Sequence, residues 1–213
     1  MIWKHWAQAF GVIGGTVLLH EMAHVLAARR AGGTVREIGI GFGPPVARAQ
    51  WGETAVTLRP IPLGGFAAID VERLPPGRRT SILVAGPLAN ILAGLVLRWF
   101  GGATGPAMLP GQRRSVEVGG LLAALTMLVR AAAGGSRSLV RTAGDINLSI
   151  GLANLLPVLP LDGGHLAAAR LEAAGADQSI VTAFKQVTAG FFVWLALRVL
   201  FADLERLRRS SSP

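Results

Sequence analysis

Two histidines stand four residues apart, with a glutamate beside the first, in the run His20-Glu21-Met22-Ala23-His24. On a helix this spacing puts both imidazoles on one face, one turn apart, where they can share a zinc ion. Glu21 then reaches a water activated by the metal and can take its proton as general base. The surroundings sharpen this reading. Residues 6–28 form an apolar run that includes Val17, Leu18, Leu19, Val25 and Leu26, and roughly 20 such residues suffice to cross a bilayer. Ionisable side chains at membrane depth are costly and point to a functional site. The competing reading is a pair of histidines that bridge packed spans without metal, and the glutamate between them argues against it.

Two histidines and a water leave a catalytic zinc one protein ligand short. The best source of the third is the stretch Asn154-Leu155-Leu156-Pro157-Val158-Leu159-Pro160-Leu161-Asp162-Gly163-Gly164-His165. It reads as an apolar helix broken by two prolines and a glycine pair, with one carboxylate at the break. Broken helices that carry an acid at membrane depth hold ions or substrates. Asp162 is the favoured ligand because the glycines after it free the chain to aim its side chain. His165 competes, since imidazole also suits zinc. Other acids look weaker: Glu37, Glu53, Asp70, Glu72, Glu172, Asp177, Asp203 and Glu205 lie in loops or at helix ends, and Asp145 is placed to cap a helix.

The elements that must hold these residues are membrane elements. Of 213 residues 51% are hydrophobic and only 15% charged, and mean hydropathy is positive. Such a balance departs from that of soluble domains. The pattern predicts spans at 5–28, 81–100 and 180–201, with a broken span at 146–164. Residues 118–133 form either a short span or an amphipathic interfacial helix. The first span is read as a retained helix and not a cleaved signal, because a signal has no use for His-Glu-x-x-His. Between the first two spans, residues 34–70 switch to short strands at 35–42 and 55–58, then to Arg59-Pro60-Ile61-Pro62-Leu63-Gly64-Gly65-Phe66. That last stretch is too rich in proline and glycine for a helix and too apolar for a free loop. It reads as part of a β-hairpin insertion that dips toward the zinc site, the alternative being a peripheral two-stranded sheet. In the second span Gly86, Ala89, Ala93 and Gly94 make a small-residue face suited to close packing, and Asn90 in that face requires a polar partner.

The net charge of +9 comes almost wholly from scattered arginines, which fit anionic headgroups better than nucleic acid, so no nucleic-acid partner is expected. Their density at 36–79 predicts a cytoplasmic insertion and an external N-terminus. The chain has no cysteine, which excludes disulfides and thiolate ligands. The tryptophans read as interfacial anchors.

Four blocks in this order resemble one family. They are His20 to His24, Ile38-Gly39-Ile40-Gly41-Phe42-Gly43 followed by Ile61 to Phe66, Ala85-Gly86-Pro87-Leu88-Ala89-Asn90, and Asn154 to His165. The family is the site-2 proteases, intramembrane zinc metalloproteases, here of the bacterial type. The resemblance implies one Zn2+ per chain on His20, His24 and Asp162, with Glu21 activating the water. It implies that Asn154 helps hold the substrate strand and that the hairpin at 61–66 lies beside the cleft. Leu63, Gly64, Gly65 and Asn90 join Asn154 as substrate-binding candidates, with a hydrogen bond between helices as the alternative role of Asn90.

The implied fold is an α-helical polytopic membrane protein with about four transmembrane helices. It forms a single intramembrane protease domain over residues 1–213, in the bacterial inner membrane. The implied substrate is a transmembrane protein, such as an anti-sigma factor or a signal-peptide remnant. A large branch of the family carries PDZ domains between core spans, but residues 101–145 are too few for one. A separate PDZ or regulatory partner is the expected substitute. No nucleotide-sensing domain is expected after the last span. A non-catalytic zinc-binding membrane chaperone or scaffold is the other function class, disfavoured because Glu21 and Asp162 are both present.

Overall fold

The computed structural model of the chain describes residues 2–71, 74–102 and 121–210. It opens with helix α1, Ile2–Arg30, whose buried positions Ala9, Ile13, Thr16, His20, His24 and Ala28 recur every three or four residues. That spacing is one helix face, so the two histidines belong to the same inward stripe as the core residues. Gly32 adopts a positive φ of 77°, and the Gly33 N–H donates to the Ala28 carbonyl at 2.8 Å. This left-handed closure ends α1 where its orphan carbonyls need partners.

Four strands follow: β1 Thr34–Phe42, β2 Ala47–Trp51, β3 Thr54–Leu58 and β4 Ile61–Asp70. Their order in the sheet is β2-β3-β1-β4. β1 runs parallel to β3 and antiparallel to β4, with Gly39 opposite Phe66 and Ile40 opposite Gly65. The expected β-hairpin insertion at 34–70 is therefore a four-stranded mixed sheet. The stretch at 61–66 belongs to strand β4, but its pairing with β1 is irregular there: Ile61 pairs with Phe42 and Gly65 with Ile40, so the register shifts across residues 62–64. β3 lies between β2 and β1, so residues 55–58 offer no edge to a further strand.

Helix α2, Pro76–Phe100, packs against both α1 and α4. Helix α3, Leu121–Ala133, has 13 residues and at 1.5 Å per residue reaches only about 20 Å, short of a bilayer core. Residues 118–120 of the expected 118–133 segment lie outside those described. α4, Ser136–Asn154, precedes a turn, and α5, Asp162–Ala173, precedes the long α6, Gln178–Ser210. The expected broken span at 146–164 is thus the end of α4, the connection at 155–161 and the first turn of α5. Asp145 lies within α4 and is not at its start. α4 meets α2 so closely that a Cβ on Gly94 would stand 2.9 Å from the Gly144 carbonyl oxygen. The small-residue face read from the sequence is what permits this approach.

Two apolar clusters form the core. Ala9, Ile13, Leu125, Leu128 and Ile146 join α1, α3 and α4. Val25, Ala28, Val35, Ile38 and Ile82 join the other end of α1 to the sheet and α2. His20 and His24 fall between Ile13 and Val25, at the seam of the two clusters. Among the described residues three helices are long and apolar enough to cross a membrane: Ile2–Arg30, Pro76–Phe100 and Gln178–Glu205.

Candidate metal centre

His20, His24 and Asp162 converge although 142 residues separate the first from the last. His20 Nε2 lies 3.0 Å from Asp162 Oδ2 and 3.1 Å from His24 Nε2. The third side of the triangle, His24 Nε2 to Asp162 Oδ2, is 3.3 Å. Three ligands at about 2.0–2.1 Å in a tetrahedron around zinc would lie about 3.3–3.4 Å apart. The triangle matches that spacing to within a few tenths of an ångström, so the three atoms fit one metal ion without rearrangement.

The protonation of His24 supports the same reading. Its Nδ1 lies 2.7 Å from the Ile82 carbonyl oxygen of α2. A carbonyl only accepts, so Nδ1 carries the proton and neutral His24 turns the Nε2 lone pair inward. Two imidazoles and a carboxylate, with no thiolate, form a donor set that suits zinc.

Each group is placed by a backbone that comes close to it. A Cβ on Gly86 would overlap His24 Nε2 and stand 2.7 Å from His20 Nε2, so the bare surface of α2 at this glycine is the floor of the centre. Asp162 occupies the first turn of α5. The glycines after it serve by lacking side chains and not by conformational freedom. A Cβ on Gly163 would meet the Leu155 backbone, and one on Gly164 would stand 2.5 Å from Leu159 N. The connection from α4 folds tightly against this turn and so fixes the direction of the carboxylate.

Glu21, half-buried one position beyond His20, lies against strand β4 at Gly65. Strand β4 therefore reaches the centre. At Gly65 a Cβ would stand 3.2 Å from Glu21 Cγ, so this glycine lets the strand lie against the base.

The other residues singled out by sequence fall at different distances from the three ligands. His165 is exposed on α5 and is not in the converging group. Asn90 is fully buried, with its amide 3.1 Å from His20 Nδ1. Asn154 ends α4 and donates to the Ile150 carbonyl of its own helix at 3.0 Å. Gly64 and Gly65 are half-buried in β4, while the side chain of Leu63 lies outside those described. Sequence reasoning assigned Gly86 to helix packing alone and gave Ile82 no role. The position of Gly86 in the block Gly86-Pro87-Leu88-Ala89-Asn90 was a usable signal, but a backbone carbonyl such as that of Ile82 leaves none.

Comparison with known proteins agrees with this geometry. The chain is 38% identical over 98 residues to zinc metalloprotease Rip1 of Mycobacterium bovis, an alignment covering 38% of this chain and 24% of that protein. It is 49% identical over 65 residues to the regulator of sigma-W protease RasP of Bacillus subtilis, covering 30% and 15%. The chain spans less than half the length of the curated relatives it matches. Among solved structures, the site-2 protease of Methanocaldococcus jannaschii aligns with 95% of this chain and 69% of its own at a TM-score of 0.54 and 23% identity, a likeness of fold. The model of Peptidase family M50 matches residues 8–197, a stretch that holds His20, Glu21, His24 and Asp162. The chain is a zinc-site membrane protein of Peptidase family M50, the site-2 protease family.

Proposed function

We propose that the chain is an intramembrane zinc endopeptidase that hydrolyses peptide bonds within or beside the transmembrane segments of other membrane proteins. One observation carries the proposal: two imidazoles on a helix otherwise apolar enough to cross a membrane meet the Asp162 carboxylate of α5, the three atoms 3.0–3.3 Å apart, with Glu21 beside them. His20, His24 and Asp162 would hold a zinc ion, which would supply Lewis acidity toward the scissile carbonyl and lower the pKa of a water to about 7. The protein does the rest. Glu21 takes the proton from that water and returns it to the leaving amine. His24 is held by Ile82, and Asp162 by the packed turn around Gly163.

A helical substrate must unwind before cleavage, because its amides are hydrogen-bonded to one another. β4 is an outer strand of the sheet and touches Glu21, so an unwound segment is proposed to pair along β4 beside the base. Gly64 and Gly65 leave room for it, and Leu63 and Asn154 are proposed to contact it.

In the bilayer, α1, α2 and α6 serve as crossings, and α4 is proposed as a fourth. α4 carries Asp145, paired with Arg98 of α2, so that acid need not face lipid unpaired. The sheet is proposed to dip to the depth of the centre on the cytoplasmic side, and the membrane is proposed to be the bacterial inner membrane. Proposed substrates are an anti-sigma factor or a signal-peptide remnant, with a separate PDZ or regulatory protein selecting them.

The test is zinc per chain in detergent-solubilised protein, together with cleavage of a reconstituted transmembrane peptide. The parent should hold about one zinc and cut. His24→Ala and Asp162→Ala should lose both properties. Glu21→Gln should keep the zinc while cleavage falls by about 10²–10⁴-fold. Zinc retained by Asp162→Ala would move the third ligand to another residue. Zinc bound without cleavage of any tested peptide would favour a non-catalytic scaffold.

A further inference from the structure

Asn90 is 0% exposed, and its amide nitrogen faces His20 Nδ1 at 3.1 Å. Its amide oxygen is buried without a hydrogen-bond partner. A buried orphan acceptor normally costs stability and calls for an explanation. The proton on His20 supplies one.

In the arrangement observed, His20 Nε2 lies 3.0 Å from Asp162 Oδ2. In the tautomer whose Nε2–H donates to that carboxylate, the lone pair is on Nδ1 and accepts from the Asn90 amide N–H. A metal on Nε2 requires the other tautomer. The ring proton then sits on Nδ1 and faces the amide N–H, donor against donor. A half-turn of the Asn90 amide removes the conflict by placing its oxygen, idle until then, opposite Nδ1–H. The proton leaves Nε2 and one reappears on Nδ1, with no net gain or loss.

We infer that Asn90 is a positioning residue for His20, an amide that turns over to hold the ring in either tautomer and so keeps one ligand aimed at the centre before and after metal loading. The inference rests on the reading of His20 as a ligand. It also explains the residue type. A carboxylate could serve only the loaded tautomer and would carry a charge among packed helices, whereas an aliphatic side chain could serve neither. Outer partners of this kind typically change metal affinity by about 10–100-fold.

The test measures zinc affinity by competition with a soluble chelator, on the full chain in detergent, for the parent, Asn90→Leu and Asn90→Asp. Leucine should weaken zinc by about 10–100-fold, while aspartate, which keeps an acceptor for Nδ1–H, should stay near the parent value. Leucine equal to the parent would overturn the inference, and so would aspartate as weak as leucine. Should Asn90→Leu fail to fold, the unsubstituted chain decides. Nitrogen NMR of ¹⁵N-histidine protein should show His20 protonated at Nε2 without zinc and at Nδ1 with it. An unchanged tautomer would overturn the inference while leaving the metal centre standing. A parent that binds no zinc would overturn both.

Discussion

Arg98 of α2 forms an ion pair with Asp145 of α4, and the two side chains are only 8% and 15% exposed. The pair sits where Gly94 and Gly144 bring the two helices into backbone contact, so it marks the register of the tightest helix pair in the fold. Removing one member takes this partner from the other charge in a poorly solvated place. Asp145→Leu and Arg98→Leu should each lose about 3–5 kcal/mol of unfolding free energy, whereas the double replacement should lose clearly less than the sum. Denaturant titration in a fixed detergent measures this. Additive losses would mean that the pair contributes nothing specific to helix register.

Gly86→Ala separates helix propensity from site geometry. Alanine favours an exposed helix interior over glycine by about 1 kcal/mol, so α2 itself should not suffer. The added Cβ must nevertheless push on both histidine Nε2 atoms. Displacing a ligand by about 1 Å can cost about 100-fold in rate. Cleavage should therefore fall steeply and bound zinc should drop, while circular dichroism stays unchanged. Intact zinc and cleavage in this variant would mean that α2 does not floor the centre.

The start of α6 carries a pH-dependent contribution. Asp177 Oδ1 accepts from the Ser179 N–H at 2.7 Å, and hydrogen bonding by Ser179, through its side chain first and then this N–H, holds the Asp177 carboxyl below its usual range. A depressed folded-state value means stabilisation that is present above the ordinary aspartate pKa of about 3.9 and lost as pH falls through the lower folded value. The Tm of Asp177→Ala should accordingly lie below that of the parent at neutral pH. The two should converge as the solution is acidified below pH of about 4. A gap that persists at the acid end would assign the effect to packing and not to the capped charge.

The chemistry was far more legible in the sequence than the scaffold. His20 and His24 at helical spacing, and Asp162 at a helix break, announce themselves because ionisable side chains are rare in apolar runs. The sheet did not. Residues 61–66 look irregular in isolation because proline and glycine weaken any strand, and only pairing with β1 on both sides of a register shift, at Ile61 and from Gly65 onward, draws them into β4. Asp145 read as a cap because the boundary of α4 was placed too late. Nothing local distinguishes a capping acid from one whose arginine partner lies 47 residues away. The glycine pair after Asp162 was recognised, but for the wrong property, since absence of side chain matters there and backbone freedom does not.

The convergence of α1 with the first turn of α5 has a consequence for assembly. Three atoms drawn from the two ends of a 142-residue separation make a bound ion a removable cross-link that closes most of the chain into a loop. Metal that binds only the folded form adds stability in proportion to the logarithm of its free concentration, about 2.7 kcal/mol at a hundredfold excess over its dissociation constant. α6, which packs against α5 and is otherwise largely exposed, hangs from the far side of that link. An ion held there would thus also fasten α6, through α5, to α1, so that loading the site would join the two ends of the described fold.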